Sequence, residues 1–432
     1  MRVVHLYDGH EQVYDGKGSV PGVVWNVARE TAAAGHSVTI LERQWDGLTT
    51  QAEHEGVTFR RLGLWTGADK PWTRVPYEMT ESPVSMARLL GDRTYFALRA
   101  LRELKELSFD VLHVHLPFAA NVLLTIAPRL RHRTVYTAHL GELRLDALDM
   151  DADMDADVPY IVRRFSPDIF LAKRAAQTSV LNSSIRERFV ERGVDPNSVS
   201  VVPNGVDIDR FANVSEDRIE AVREQYSLGD AQVVLFVGTV MPRKGVTDLV
   251  EAFAEATAVV NENVQLIIAG EIGLDETYTR EMRSLITAHG LDDAVDVLGF
   301  VPMETLPTLY ATADVCVVPS HEEGFGMTAV EAMAAGTPVV GTRVGGLPSI
   351  IEDGTHGYLV EVGAIPELAA TISKAVSGKA VQEMASNASA RAREFSWAGV
   401  TERFLNIYKT CDRRSAREKP DSGRQSKPFH ST

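Results

Sequence analysis

The chain of 432 residues contains only two cysteines, Cys316 and Cys411. Two cysteines suggest neither a disulfide framework nor a thiolate metal site, and such low usage suits a reducing cytosol. No apolar run approaches the roughly 20 residues that a membrane-spanning helix needs. The first residues, MRVVHLYDGH, lack the long apolar core of a signal peptide. Together these absences predict a cytoplasmic protein.

Positive charge is also scarce, because the formal net charge is -15. Nucleic-acid binding needs basic surface to meet phosphates, so we predict no nucleic-acid partner. The composition, 44% hydrophobic and 24% charged, is ordinary for a globular protein. At about 100–200 residues per domain, the length predicts two large domains or three small ones.

Short apolar runs alternate with helical patterns along the whole chain. RVVHL, SVTILE and DVLHVH are examples in the first half, and AQVVLFVG, VQLIIAG and ADVCVVP are examples in the second. Such strands, each followed by a helix, are typical of parallel sheets covered on both faces. The turn-rich stretch from Val201 to Arg218 suits a linker between two sheets. The sequence therefore predicts an α/β protein in which strand–helix alternation occurs twice.

Three turns that follow predicted strands are rich in glycine or charge. The first contains Gly16, Gly18 and Gly22, the second is VGTVMPRKGV with Lys244, and the third is PSHEEGFGM. Ligands of open parallel sheets bind beyond the carboxyl ends of the strands. Glycines let the backbone approach a ligand, and amides at a helix start favour an anion. These turns are candidate binding segments, and Lys244 could add a charge for a phosphate.

Each feature also has a purely structural interpretation. Thr328 and Glu331 match a capping box, Lys244 alone suits a solvated charge, and His139 alone suits a hydrogen-bonded histidine at a strand end. The cap interpretation explains neither Glu323 nor the Gly-Phe-Gly that follows it.

The stretch PSHEEGFGMTAVEAMAAGTPVVGTRVGGLPSII closely resembles the signature of glycosyltransferase family 4, whose Glu-x7-Glu hallmark is matched by Glu323 and Glu331. VVPNGVDIDRF resembles the interdomain segment of the family, and FVGTVMPRKGVTDLVEAF resembles its diphosphate-binding strand, turn and helix. The resemblance implies the GT-B fold, in which two Rossmann-like, doubly wound parallel-sheet domains face each other across a cleft. It implies an acceptor domain over residues 1–203, a nucleotide-sugar domain over 204–395, and a closing helix over 396–411 that packs back on the first domain. Composition predicts a disordered tail over 412–432.

The resemblance implies a retaining glycosyltransferase that moves a sugar from a nucleoside-diphosphate sugar to an acceptor hydroxyl. Glu323 would hold the donor sugar, Glu331 the ribose and Lys244 the leaving diphosphate, while His139 would lie near the reacting sugar. Carboxylates suit these tasks because they accept two hydroxyl donors. The wider donor site would comprise Gly238, Arg243, Lys244, Gly299, Glu323, Gly324, Phe325, Gly326, Met327 and Glu331, and the loop with Gly16, Gly18 and Gly22 would line the acceptor and phosphate side.

In the family the acceptor attacks the face from which the diphosphate leaves, so no enzyme nucleophile is needed. We expect no metal and no cofactor, because Lys244 and backbone amides would neutralise the diphosphate. One departure is Thr239, which stands where the family often has arginine; Arg243 could compensate.

Several alternatives stay open. The same fold serves trehalose-type phosphorylases or synthases, and a retaining glycosidase would need two carboxyl groups about 5–5.5 Å apart. A nucleotide-sugar-binding protein without catalysis is a third class. DMDADMDAD (149–157) is interpreted as a solvated acidic loop. MARLLGDRTYFALRALRELKEL suits either a packed helix of the first domain or a peripheral helix at the inner face of a membrane. The donor base (UDP, GDP or ADP), the acceptor, the linkage and the oligomeric state are not predicted.

Overall fold

The computed structural model describes residues 1–16, 19–64, 83–139, 166–260, 263–377 and 381–417. Gly18 and the acidic segment 149–157 therefore lie outside the described residues. The strands within these ranges are β1 (Arg2–Leu6), β2 (Ser37–Arg43), β3 (Gln51–His54), β4 (Val57–Leu62), β5 (Val111–Val114), β6 (Thr134–Thr137), β7 (Gln177–Val180), β8 (Val199–Val201), β9 (Gln232–Val237), β10 (Val264–Ala269), β11 (Val295–Gly299), β12 (Val315–Val318), β13 (Val339–Thr342) and β14 (Gly357–Val360).

The α-helices of the same ranges are α1 (Ser19–Ala33), α2 (Pro83–Glu106), α3 (Pro117–Ile126), α4 (Pro167–Ala172), α5 (Ser183–Glu191), α6 (Ile208–Ala212), α7 (Glu216–Gln225), α8 (Val246–Thr257), α9 (Glu276–Ala288), α10 (Leu306–Thr312), α11 (Met327–Ala334), α12 (Leu347–Ile350), α13 (Ile365–Ser377), α14 (Val381–Ala392) and α15 (Trp397–Arg417). None of these helices is both long and apolar enough to cross a bilayer.

The described strands form two sheets, which confirms the predicted fold class. Strand order is β3-β4-β2-β1-β5-β6-β7-β8 in the first and β11-β10-β9-β12-β13-β14 in the second. Strands pair in parallel throughout, except β3 with β4. Chain order reverses between β1 and β5 and again between β9 and β12. A crevice forms at such a switch point, where ligands of open α/β sheets bind.

The segment between the sheets runs from the end of β8 to the start of β9, and the predicted boundary at 203/204 falls inside it. Its assignment as a domain boundary stays a prediction. The closing helix α15 lies against the first sheet, where Trp397, Phe404 and Tyr408 share an apolar cluster with Val3 and Val111.

The closing helix extends into the predicted tail, and disorder of 412–432 stays a prediction. Composition predicts disorder from residue 412, whereas α15 continues to Arg417. The stretch DRRSAR contains arginine and alanine, which are good helix formers, so the helix extends by about one and a half turns. Residues beyond 417 lie outside the described structure.

Candidate active site

The two predicted donor turns lie side by side, because β9 and β12 are neighbours at the switch point of the second sheet. The carbonyl of Arg243 accepts hydrogen bonds from the amides of His321 at 2.9 Å and Glu322 at 3.3 Å. Gly245 has φ 64°, and a Cβ atom there would lie 2.0 Å from the carbonyl oxygen of Pro319. Only glycine fits this contact, which joins the Lys244 turn to the signature segment.

The contact brings Lys244 and Glu323 together. The Nζ of Lys244 donates to Oε2 of Glu323 at 2.6 Å, and the Oγ of Ser320 donates to the same oxygen at 3.3 Å. The two side chains are 14% and 12% exposed. Attraction between such charges exceeds that of an exposed pair, because less water screens them. A cation and a carboxylate thus form one unit at the carboxyl end of the sheet.

Helix α11 begins directly after this unit and is not capped as a capping box predicts. Its N-cap residue is Gly326, with φ 107° and no side-chain cap. The hydroxyl of Thr328 donates instead to the carbonyl of Val237 at 3.3 Å. The Glu331 carboxylate accepts from the hydroxyl of Tyr310 at 2.9 Å. The cap interpretation of Glu331 is therefore wrong, and a helix start of this kind can present its amides to an anion.

Glu331 lies in partly buried surroundings at the base of this site. Burial raises its pKa to about 7, while the Tyr310 hydroxyl and the charge of Arg210 act in the opposite direction. Tyr310 is itself fully buried and packs edge-on against Phe211, with ring centroids 5.8 Å apart. A carboxylate with this pKa gains from any further hydrogen-bond donor, and ribose hydroxyls are such donors.

Two further predicted glycines lie at neighbouring strand ends. Gly238 follows β9, Gly299 ends β11, and Gly270 lies between them after β10. The amide of Gly270 donates to the carbonyl of Gly299 at 2.8 Å, and a Cβ on Gly270 would lie 1.9 Å from the carbonyl oxygen of Gly238. Close backbone packing thus explains Gly270, and the donor roles of Gly238 and Gly299 stay predictions.

His139 belongs to a chain of imidazoles in the first domain. Its Nε2 lies 3.2 Å from Nδ1 of His115, whose Nε2 lies 2.9 Å from Nδ1 of His5. Burial lowers the pKa of His139 to about 4 and that of His5 to about 3, and it lowers the pKa of His115 well below its ordinary value. All three rings are therefore neutral near pH 7, and each carries one N–H.

The direction of hydrogen-bond donation along these imidazoles follows from the ring at the buried end, His5. Among the described residues, none forms a hydrogen bond with the Nε2 of His5. If the chain ran from His139 to His5, that atom would be a buried N–H without an acceptor, which is rare in proteins. The opposite direction leaves only an unused lone pair there, so His115 donates to Nε2 of His139. The Nδ1 of His139 then carries the proton and can donate to a sugar oxygen.

His5, His113 and His115 also place ring nitrogens within 4.8 Å of one another, as a metal site would. Both nitrogens of His113 are engaged, however, by the hydroxyls of Tyr408 at 2.7 Å and Thr137 at 2.6 Å. Both nitrogens of His115 bond to the flanking histidines, so the described cluster is a hydrogen-bonded network.

The predicted loop of the first domain is partly corrected. A Cβ on Gly16 would lie 2.2 Å from the carbonyl oxygen of Gln12, so glycine is required there. Gly22, in contrast, lies inside α1 rather than in the loop. Pro21 lies in the first turn of this helix, where proline is tolerated, so it does not prevent a start at Ser19.

Two contacts of the site are missed by sequence reasoning. Tyr310 binds Glu331, and the Nδ2 of Asn182 donates to the carbonyl of Gly324 at 2.7 Å. The signal for Asn182 is limited to its suitability as a helix N-cap before Ser183, and Tyr310 has none.

Comparison with known proteins identifies the family. Residues 21–210 match the profile of Glycosyltransferase Family 4, and residues 218–395 match that of Glycosyl transferases group 1. A D-inositol 3-phosphate glycosyltransferase of Acidothermus cellulolyticus is 30% identical over 413 residues, which cover 92% of this chain and 87% of the relative. The chain belongs to glycosyltransferase family 4. This family 4 member is therefore a sugar-transferring enzyme.

Solved structures agree on the GT-B fold. Sucrose-phosphate synthase of Thermosynechococcus elongatus aligns with a TM-score of 0.74 at 23% identity, covering 95% of this chain and 99% of the other. Anabaena HepE in complex with UDP-glucose aligns with a TM-score of 0.67 at 21% identity, covering 95% and 100%.

Proposed function

We propose that this enzyme transfers a sugar from a nucleoside-diphosphate sugar to an acceptor hydroxyl with retention of anomeric configuration. The observation that supports this most is the Lys244–Glu323 pair, 2.6 Å apart beside the uncapped start of α11. It offers a cation and amides for a diphosphate next to a carboxylate for sugar hydroxyls. Glu331 completes the donor site as the ribose carboxylate.

The chemistry then depends on how charge develops. As the glycosidic oxygen of the donor takes up negative charge, Lys244 and the amides of residues 324–327 stabilise it, which lowers the barrier to departure. When the donor binds, Lys244 leaves Glu323 and binds the phosphates, and the sugar hydroxyls of the donor donate to the Glu323 carboxylate in its place. The acceptor attacks the face that the diphosphate leaves, and its proton passes to the leaving phosphate. His139 donates from Nδ1 to the sugar.

The proposal includes catalysis without a metal or another cofactor. Lys244 supplies the positive charge that a divalent cation supplies in other sugar transferases. The exposed Arg243 side chain, next to it, compensates for Thr239 at the position where the family often has arginine.

For the acceptor we propose a polyol or sugar that carries a phosphate, as the names of D-inositol 3-phosphate glycosyltransferases and sucrose-phosphate synthase suggest. The donor panel starts with UDP-glucose, which is the ligand of HepE.

The test is release of nucleoside diphosphate from UDP-, GDP- and ADP-sugars in the presence of EDTA, with and without inositol phosphates and hexose phosphates. We expect acceptor-dependent release of nucleoside diphosphate from one donor. The new glycosidic bond should have the same anomeric configuration, axial or equatorial, as the bond in the donor. Dependence on added Mg²⁺ would contradict the metal-free mechanism. Phosphate-driven cleavage of a free disaccharide would instead identify a phosphorylase.

We also propose a cytoplasmic location with peripheral contact at the inner face of a membrane. Helix α2 packs on the first domain through Leu89, Phe96 and Leu104, and its outer face exposes Leu90 (52%) and Leu98 (50%). Exposed Arg88, Arg102 and Lys105 accompany these leucines. Sedimentation with anionic vesicles, compared with neutral ones, tests this contact, and a Leu90→Ser/Leu98→Ser variant should lose it.

A further inference from the structure

One buried side chain connects the first domain to the loop of residues 319–326 between β12 and α11, which we call the donor loop. Asn182 follows β7 and is 1% exposed. Its Oδ1 caps α5 by accepting from the amide of Ile185 at 2.8 Å, and its Nδ2 donates to the carbonyl of Gly324 at 2.7 Å. Gly324 lies directly after Glu323. Each polar atom of Asn182 therefore serves a different domain.

The loop that receives this bond also contacts the crossover between the domains. The ring of Phe325 packs on Phe395 with centroids 5.7 Å apart. The carbonyl of Phe395 accepts from the amide of Val206 at 2.8 Å, and Val206 pairs with Ser396 in an isolated bridge. The bond from Asn182 and the paired crossover segments at Val206 and Ser396 thus both lie beside this loop.

We propose that Asn182 is a positioning residue for sugar transfer. Its amide fixes the carbonyl of Gly324, and this fixes the orientation of the next peptide groups and of Glu323 relative to the first domain. The inference rests on the proposed function of the donor loop. Asn182 does not touch the donor in this account; it acts through the loop, and its effect should appear in donor turnover rather than in nucleotide affinity.

Two variants separate the roles of this side chain. Asn182→Ser keeps a good N-cap acceptor, but its shorter side chain does not reach Gly324, and Asn182→Ala removes both bonds. Asp275→Ala is the matched control, because Asp275 caps α9 by accepting from the amide of Tyr278 at 2.9 Å. It measures the loss of a cap alone.

For Asn182→Ser we expect faster amide hydrogen exchange over residues 321–330 and a loss of about tenfold or more in kcat/KM for the donor, because the partly buried carbonyl of Gly324 loses its partner. Its Tm should decrease less than that of Asn182→Ala, because serine keeps the cap of α5. Affinity for UDP should change little. Asn182→Ala should add a decrease in Tm like that of Asp275→Ala, whose kcat/KM should stay native.

Native exchange over residues 321–330 in Asn182→Ser would overturn the proposal. Faster exchange with native kcat/KM would overturn it as well, since the bond would then have a structural role only. The exchange measurement needs no turnover, so it decides the question of the bond even if the native enzyme releases no nucleotide from any sugar donor, which would contradict the proposed function instead.

Discussion

At the scale of single residues, Lys244 and Glu323 form an ion pair, and mutation of each side chain distinguishes its role from that of its partner. We expect Glu323→Ala to abolish transfer, because it removes the carboxylate that would hold the donor sugar. The same change frees Lys244 from its 2.6 Å partner, so affinity for a nucleoside diphosphate should be kept or increased. Turnover assays and calorimetry with UDP test both parts. Native turnover would exclude the role of Glu323, and lost UDP binding would show that the variant damages the site more widely.

Lys244→Ala should lower both turnover and nucleoside-diphosphate affinity, the latter by about 10- to 100-fold, since a charge-assisted hydrogen bond is lost. The variant also leaves the Glu323 carboxylate beside the diphosphate without its cation. Removing both side chains should therefore recover part of the affinity lost in Lys244→Ala, while transfer stays absent. Calorimetry on the two variants provides the comparison, and equal affinities would argue that the charge of Glu323 does not face the phosphates.

We expect Glu331 to make nucleotide binding depend on pH. Burial raises its pKa to about 7, and ribose hydroxyls that donate to the carboxylate would lower it, so binding should release a proton. Affinity should consequently rise as the pH increases from about 5 to 7 and then level off, because the charged form is already present above that range. Calorimetry in buffers of different ionisation enthalpy measures the proton release. Glu331→Gln carries only the titration of the ligand itself, and an unchanged pH profile in this variant would contradict the assignment.

Sequence reasoning finds those site residues whose chemistry is local. Glu323 and Lys244 stand in turns whose glycines and charges indicate a ligand, and the family resemblance supplies their roles. Tyr310 and Asn182 are not found, because their partners lie 21 and 142 positions away along the chain. Such contacts depend on the packing of helices and of the two domains, which no local pattern records.

At the scale of elements, strands are easier to predict than helix starts. The run VCVV that forms β12 is buried at every position, so it reads as a continuous apolar segment. The starts of α1 and α11 depend instead on individual residues and their contacts. Pro21 is accommodated within the first turn of α1, and Thr328 and Glu331 bond to other elements instead of capping α11.

Gly345, which lies two residues before α12, contacts the backbone of Glu323. Gly345 has φ 56°, and a Cβ there would lie 1.5 Å from the carbonyl oxygen of Glu323. Gly345→Ala should therefore displace Glu323 and reduce transfer strongly. Gly354 has φ 78°, and a Cβ there would meet no atom of the described residues within 4 Å, so Gly354→Ala should lose only about 1–2 kcal/mol of stability to backbone strain and keep native turnover. Equal effects of the two substitutions on turnover would show that strain, not displacement of Glu323, is responsible.

At the scale of the whole molecule, repetition of strand and helix predicts two sheets, but not how they meet. The described structure joins them through Asn182 and through the paired crossover segments at Val206 and Ser396. These contacts are compatible with rotation about the crossover, because both chain connections lie next to each other. Donor groups in the second domain and His139 in the first could then approach the same sugar.

We expect the two domains to close around the donor, because a site divided between two domains is complete only when they meet. Small-angle scattering should show a smaller radius of gyration with UDP and acceptor than without ligand. The matched control is Glu331→Ala, which should lose the nucleotide and show no change under the same conditions. Identical scattering of the native enzyme with saturating ligand would contradict closure, and His139 would then need to reach the sugar from its present position. A decrease that also occurs in Glu331→Ala would show that compaction is independent of nucleotide binding.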